Sequence, residues 1–247
     1  MDASSIYALD FLRLQYAAPA PLDAIFTPVA MQKYDDIFRN LLRLMRVLNT
    51  TKRLRRTYAN AGVRTNGMAA CFAAEAHHFV SCLISHVLNI GISAPWRVFQ
   101  QALDAIEQAG PTAGETGTSH LHTANVGING LRDLHNQCLD SVRTRLYLKR
   151  RQEGSRKAIE DVLAAILAVA SEQQGVESEE RERFVRRTAR FREAMSSMIR
   201  HLQNIVDRPS RGRVASDVAD EEGEMAKLLL SKLNWNAFYS EQAMSAS

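Results

Sequence analysis

Residues 27–56 read TPVAMQKYDDIFRNLLRLMRVLNTTKRLRR. At about 100° per residue, Tyr34, Ile37, Leu41, Leu44, Met45 and Leu48 gather on one side, and Arg39, Arg43, Arg46 and Arg53 fall in a narrow arc opposite. Thr27-Pro28 supplies the start, because a Thr hydroxyl accepts from a free N–H of the first turn and Pro at the first helical position loses nothing by lacking its own. The stretch predicts a long amphipathic helix with one core face and one basic stripe.

Working outward, Leu9 to Tyr16 alternates roughly between apolar and polar residues and is stopped by Pro19 and Pro21, which predicts a short strand or extended lead-in. A second helix is expected over about 66–89 with Gly91 as a left-handed cap, and a third is started by Ser93 with Trp96, Phe99, Leu103 and Ile106 turned inward. Two more follow over about 128–151 and 155–171. The next, about 178–206, carries Phe184, Thr188, Phe191, Met195, Met198, Leu202 and Ile205 at alternating steps of four and three, a seam against partner helices. A last short helix runs over about 224–233. Residues 110–124 and 207–223 read as flexible loops, 241–247 as a disordered tail. The expected architecture is an all-α multi-helix bundle with a short N-terminal extended segment, a single domain over 1–247.

Composition agrees with helix. In 247 residues there are only 12 Gly and 6 Pro, too little turn punctuation for an all-β fold. Lys+Arg 31 against Asp+Glu 27 leaves +4, and Arg supplies nearly all of the positive charge, which suits ion-pair networks and protein interfaces at least as well as phosphate. Cys71, Cys82 and Cys138 form no CxxC, so a reducing compartment is expected. The start lacks a basic n-region and an apolar h-region, and the longest uninterrupted apolar run, Val162 to Ala170, is far shorter than the ~20 residues of a membrane span. Neither a secretory signal nor a membrane span is expected.

Glu75, His78, Cys82 and His86 lie on one flank of the second helix, yet one straight helix cannot wrap four ligands around a metal, because ligands two turns apart sit ~11 Å from each other. They read as the polar flank of a packed helix. Neither GxSxG nor GxxxxGK[ST] occurs, and His135 with Asp133 or Asp140 is a pair any helical protein offers, so no enzyme and no cofactor is expected. The basic groups at 52–56 and 143–151 read as cations near helix ends, and the one at 181–192 as a solvated, ion-paired face. The competing class is an Arg-rich nucleic-acid-binding or general adaptor protein, for which interleaved aromatics would be wanted.

Leu9 to Val47, LDFLRLQYAAPAPLDAIFTPVAMQKYDDIFRNLLRLMRV, resembles the stretch of gamma-tubulin complex components in which an extended "L…Y" segment runs through a Pro-x-Pro-Leu turn into a helix bearing K-Y-x-x-x-F-x-x-L-L. Glu75 to Val80, Leu134-His135 with Cys138-Leu139-Asp140, and Leu228 to Tyr239 are similar to further anchors of that family in the same order, and the compact loops are closest to its member-four subtype. Ala20 stands where the family usually has Trp, and the family's N-terminal domain has no counterpart in this sequence. The resemblance implies an all-helical C-terminal domain that binds gamma-tubulin. It also implies assembly with other complex components, and microtubule nucleation in the cytoplasm at organising centres such as spindle poles. The expected partner interface is Pro21, Leu22, Ile25, Phe26 and Thr27 with Arg39, Arg43 and Arg46. Because the three arginines lie opposite the apolar set, changing all three to Glu is expected to leave folding nearly intact.

Overall fold

The computed structural model describes residues 5–60, 67–109, 127–171, 178–207 and 216–234. Among the described residues seven α-helices carry the fold: α1 (Pro28–Asn60), α2 (Gly67–His86), α3 (Ser93–Ala109), α4 (Ile128–Arg145), α5 (Glu153–Ala170), α6 (Ser178–Val206) and α7 (Ser216–Leu233). No strand occurs among the described residues, and the chain is an all-α bundle. Residues 5–11 form successive turns closed by Ala8 N–H to Ser5 O, Asp10 N–H to Tyr7 O and Leu12 N–H to Leu9 O, after which 12–19 run on without regular structure. The lead-in is therefore a strap on the bundle and pairs with no strand.

Helix α1 starts where its sequence says: Pro28 is its first residue, and the Thr27 hydroxyl accepts from Ala30 N–H at 3.3 Å. Its core face closes over Ile37, Leu44, Val47 and Leu48, while Met45 is left exposed. Five helices close a ring in the order α1, α2, α7, α6, α5 and back to α1, with α3 and α4 stacked outside against the α2 end, α1 and α7. The expected seam on α6 is buried from Phe184 through Thr188, Phe191, Met195 and Met198 to Leu202. Phe191 and Phe184 meet Phe72 of α2 edge-on, with centroids 5.3 and 6.1 Å apart.

Three boundaries differ from the sequence reading. Gly91 does not cap a helix, because α2 passes into α3 through a π-helical turn, Val87–Ile92, and both the residue before it and Ser93 keep right-handed helical geometry. Glycine is required there for another reason: a Cβ on Gly91 would lie 2.6 Å from Leu146 Cδ1. The continuous α2–α3 helix is long and apolar enough to cross a bilayer by length and composition, with mean hydropathy 1.4 over its most apolar window. Its apolar positions Phe72, Phe79, Val80 and Leu83 are buried in the core of the bundle, and 39% of the most apolar window is buried in all.

The second difference is α4, which stops at Arg145 and not near 151. Leu148 N–H donates to Arg143 O (2.9 Å) and Tyr147 N–H to Thr144 O (3.2 Å), a Schellman stop whose left-handed residue is Tyr147, at φ 57°. A tyrosine in that conformation costs about 1–3 kcal/mol, offset here by burial of its ring. The third is α7, which begins at Ser216, so the expected 207–223 loop is shorter than the sequence suggested. The expected loop at 110–124 and tail at 241–247 lie outside the described residues.

The core also holds His86, 1% exposed, with neither ring nitrogen hydrogen-bonded, and burial followed by the nearby Lys232 charge lowers its pKa to about 4. Below pH ~6.5 the unfolded chain protonates this ring while the folded chain does not. Its contribution to stability is therefore full above pH ~6.5 and is lost as the pH falls toward 4. His77 and His135 are shifted the same way by burial and neighbouring cations. Urea denaturation across pH 4–7 is expected to show stability falling with acid, with a shallower fall in His86→Leu. An unchanged slope would contradict a neutral buried His86.

Candidate protein-interaction site

The strap is held by charge. Arg43, on the stripe of α1, donates Nε–H to Asp10 Oδ1 at 2.9 Å, pairs with the other oxygen of Asp10, and reaches Glu160 of α5 at 2.8 Å. Its guanidinium lies 4.6 Å from the centroid of the Tyr7 ring, and the Tyr7 hydroxyl donates to Glu160 at 2.9 Å. Burial alone would lower the pKa of Arg43, but Asp10 and Glu160 more than reverse it, so the group stays charged. Arg46 donates to the backbone oxygen of Ser5. Nearby, Asp35 accepts from Leu14 N–H (3.0 Å) and Arg13 (2.7 Å), and the Arg39 guanidinium lies 3.2 Å away as an ion pair. Burial would raise the pKa of Asp35, and the two hydrogen bonds together with the charges of Arg39 and Arg13 outweigh it and hold the carboxyl below its ordinary value.

From Asp35 the charges alternate onward: Arg39 to Asp36 (2.7 Å), Asp36 to Arg143 (3.1 Å), Arg143 to Asp140 (3.9 Å), Asp140 to Lys33 (2.8 Å). One chain of ion pairs thus ties strap, α1 and α4 together. The first part of the arginine stripe does not face solvent: the side chains of Arg39 and Arg43 are 24% and 15% exposed, because residues 5–16 fold back over them, whereas Arg53 is exposed. That overturns the expectation that all three arginines can be reversed without cost to folding.

Turning its charges inward leaves the apolar residues of the strap outward. Only Ile6 is buried, at 5% exposure, whereas Phe11 and Tyr16 are 57% and 52% exposed. The strap enters the turn at Pro19 to Thr27, where Leu22 N–H donates to Pro19 O (2.8 Å), Leu22–Ala24 make a 3-10 turn, and Ile25 and Phe26 N–H both return to Leu22 O. Ala20-Pro21 is a cis peptide. Pro21 and Leu22 lie exposed, Ile25, Phe26 and Thr27 half-buried.

Phe26 anchors the turn. Its ring meets Tyr16 at 5.6 Å, Tyr34 at 6.3 Å and His135 at 5.2 Å, and His135 in turn meets Phe99, which meets Trp96 at 5.5 Å. The Tyr34 hydroxyl and His135 Nε2 are 2.9 Å apart. His135 is therefore a core histidine bonded to Tyr34, with no carboxylate partner among its described contacts. The aromatic row ends in exposed rings at both sides, Tyr16 and Trp96. Trp96 is expected inward but lies outward, because α3 belongs to the outer layer, packed mainly on α4 and the π-turn. The sequence places Tyr16 in the lead-in and Trp96 on the inner side of its helix, and neither as part of the site, since aromatic spacing alone does not tell an anchor from a surface ring.

The polar flank of α2 does not converge. Glu75 faces Arg192 at 3.8 Å, Cys82 Sγ lies 3.7 Å from both His78 Nε2 and Lys232 O, and His86 points into the core. Among the described residues no three His, Cys, Asp or Glu side chains group as a metal site would require.

The described residues thus form a helical bundle with an apolar turn on a charge-latched frame. The family described as gamma tubulin complex component C-terminal matches residues 1–239, and the chain belongs to it. No curated protein matches the chain.

Proposed function

We propose that the chain binds gamma-tubulin and acts as a non-catalytic scaffold in a gamma-tubulin complex, serving microtubule nucleation at organising centres together with other components of that complex. Family membership supports the reading. The observation that carries it is the strap and turn, where Asp10 and Arg13 are ion-paired to α1 while Phe11, Tyr16 and Leu22 are presented outside. Pro21, Leu22, Ile25, Phe26 and Thr27 form the centre of the contact, and Tyr16 and Trp96 extend it. Arg39, Arg43 and Arg46 act on it indirectly, by seating the strap.

Capture of purified gamma-tubulin by surface variants tests this. Leu22→Asp combined with Phe11→Asp is expected to cut binding at least tenfold, as the loss of apolar anchors at an interface does. Val185→Asp, on the exposed side of α6, is expected to bind as the parent. Exposed substitutions cost folding little, so circular dichroism should be unchanged in both. Equal binding by both variants would place the contact elsewhere.

A further inference from the structure

We propose that the Lys52–Arg56 segment of α1 is a docking surface for a carboxylate-rich peptide segment of a protein partner. Lys52, Arg53, Arg55 and Arg56 are all exposed, and among the described residues none of them enters an ion pair or donates a side-chain hydrogen bond. By contrast, Arg13, Arg39, Arg43, Arg143 and Arg145 each meet a carboxylate within 3.2 Å. Stabilisation of a helix end does not explain the four cations, because α1 continues to Asn60 and its last turn carries no basic residue, while the dipole effect fades beyond that turn.

At about 100° per residue the four radiate over an arc of roughly 160°, on the side away from half-buried Leu54, which packs on the core. The field they create reaches the adjacent helix: after burial, Arg55 and Lys52, with His78, lower the pKa of His77, whose Nδ1 lies 3.4 Å from the Thr51 hydroxyl. Three planar guanidinium forks and one ammonium within about 6 Å of helix axis suit two or three carboxylates held in paired geometry. A nucleic-acid strand would want a longer groove with stacking rings. The aromatic residue beside the patch, Tyr58, is half-buried and packed on the core.

The test is fluorescence anisotropy of a labelled ten-residue poly-glutamate peptide titrated with the full chain at 50 and 200 mM salt. The parent is expected to bind, weakening severalfold at the higher salt. The variant Lys52→Gln, Arg53→Gln, Arg55→Gln, Arg56→Gln, which keeps helix-forming side chains, is expected to bind at least tenfold more weakly with an unchanged circular dichroism spectrum. Arg181→Ala with Arg186→Ala and Arg190→Ala on α6 is expected to bind as the parent. Equal loss in both variants would show bulk charge and overturn the proposal. So would tighter binding of a ten-nucleotide single strand through the same four residues, or no peptide binding at all. None of these results bears on the apolar turn, so they are independent of gamma-tubulin capture.

Discussion

Arg43→Glu is expected to destabilise the chain by about 3 kcal/mol or more, lowering the thermal midpoint by roughly 6–12 °C for a chain of this size. The wild-type guanidinium satisfies Asp10 and Glu160 at once and lies against the Tyr7 ring. Reversal leaves three carboxylates facing one another, two of them at 15% side-chain exposure or nearly so, where water screens poorly. The strap should come free as a consequence, exposing Ile6 and raising proteolytic cleavage within residues 5–16. Arg53→Glu, nearly three turns further along α1 and exposed, should stay within about 0.5 kcal/mol of the parent. Thermal unfolding of the two variants side by side decides it: equal midpoints would mean that the latch described for Arg43 does not operate.

A second large effect is expected at the centre of the ring. Phe191→Ala should cost about 3–5 kcal/mol, because the side chain is fully buried, meets Phe72 edge-on at 5.3 Å, and cannot be replaced by collapse of the helices around it. Phe191→Leu, which keeps most of the volume, should lose roughly half of that or less. Urea denaturation measures both, and a loss below 1 kcal/mol for the alanine variant would deny that α6 is seamed into the core through this ring.

The parts of this fold that show in the sequence are those decided within one helix. The Thr27-Pro28 start and the α6 seam depend on local capping and on period alone, and both stand as read. What periodicity missed depends on other elements. Nothing in residues 27–56 shows that the strap will fold over the arginines, so Arg39 and Arg43, read as part of a partner interface, turn out to belong to an ion-pair frame within the chain. Gly91 looks like a stop because glycine often ends helices, whereas here its lack of a side chain admits Leu146. The true stop, after Arg145, uses a tyrosine in place of glycine and leaves no local signature. In the candidate site, Pro21 to Thr27 could be picked out by the turn chemistry and the family resemblance. Tyr16 and Trp96 join it only through the aromatic row that α3 and α4 complete.

The central claim is specific recognition of gamma-tubulin by this chain, and the most direct measurement is the affinity of purified chain for purified gamma-tubulin at 50 and 200 mM salt. Binding through an apolar turn should persist with only modest loss across that range. No binding at either salt, or a fall of roughly 10³-fold such as a nucleic-acid binder making several phosphate contacts would show, would contradict it.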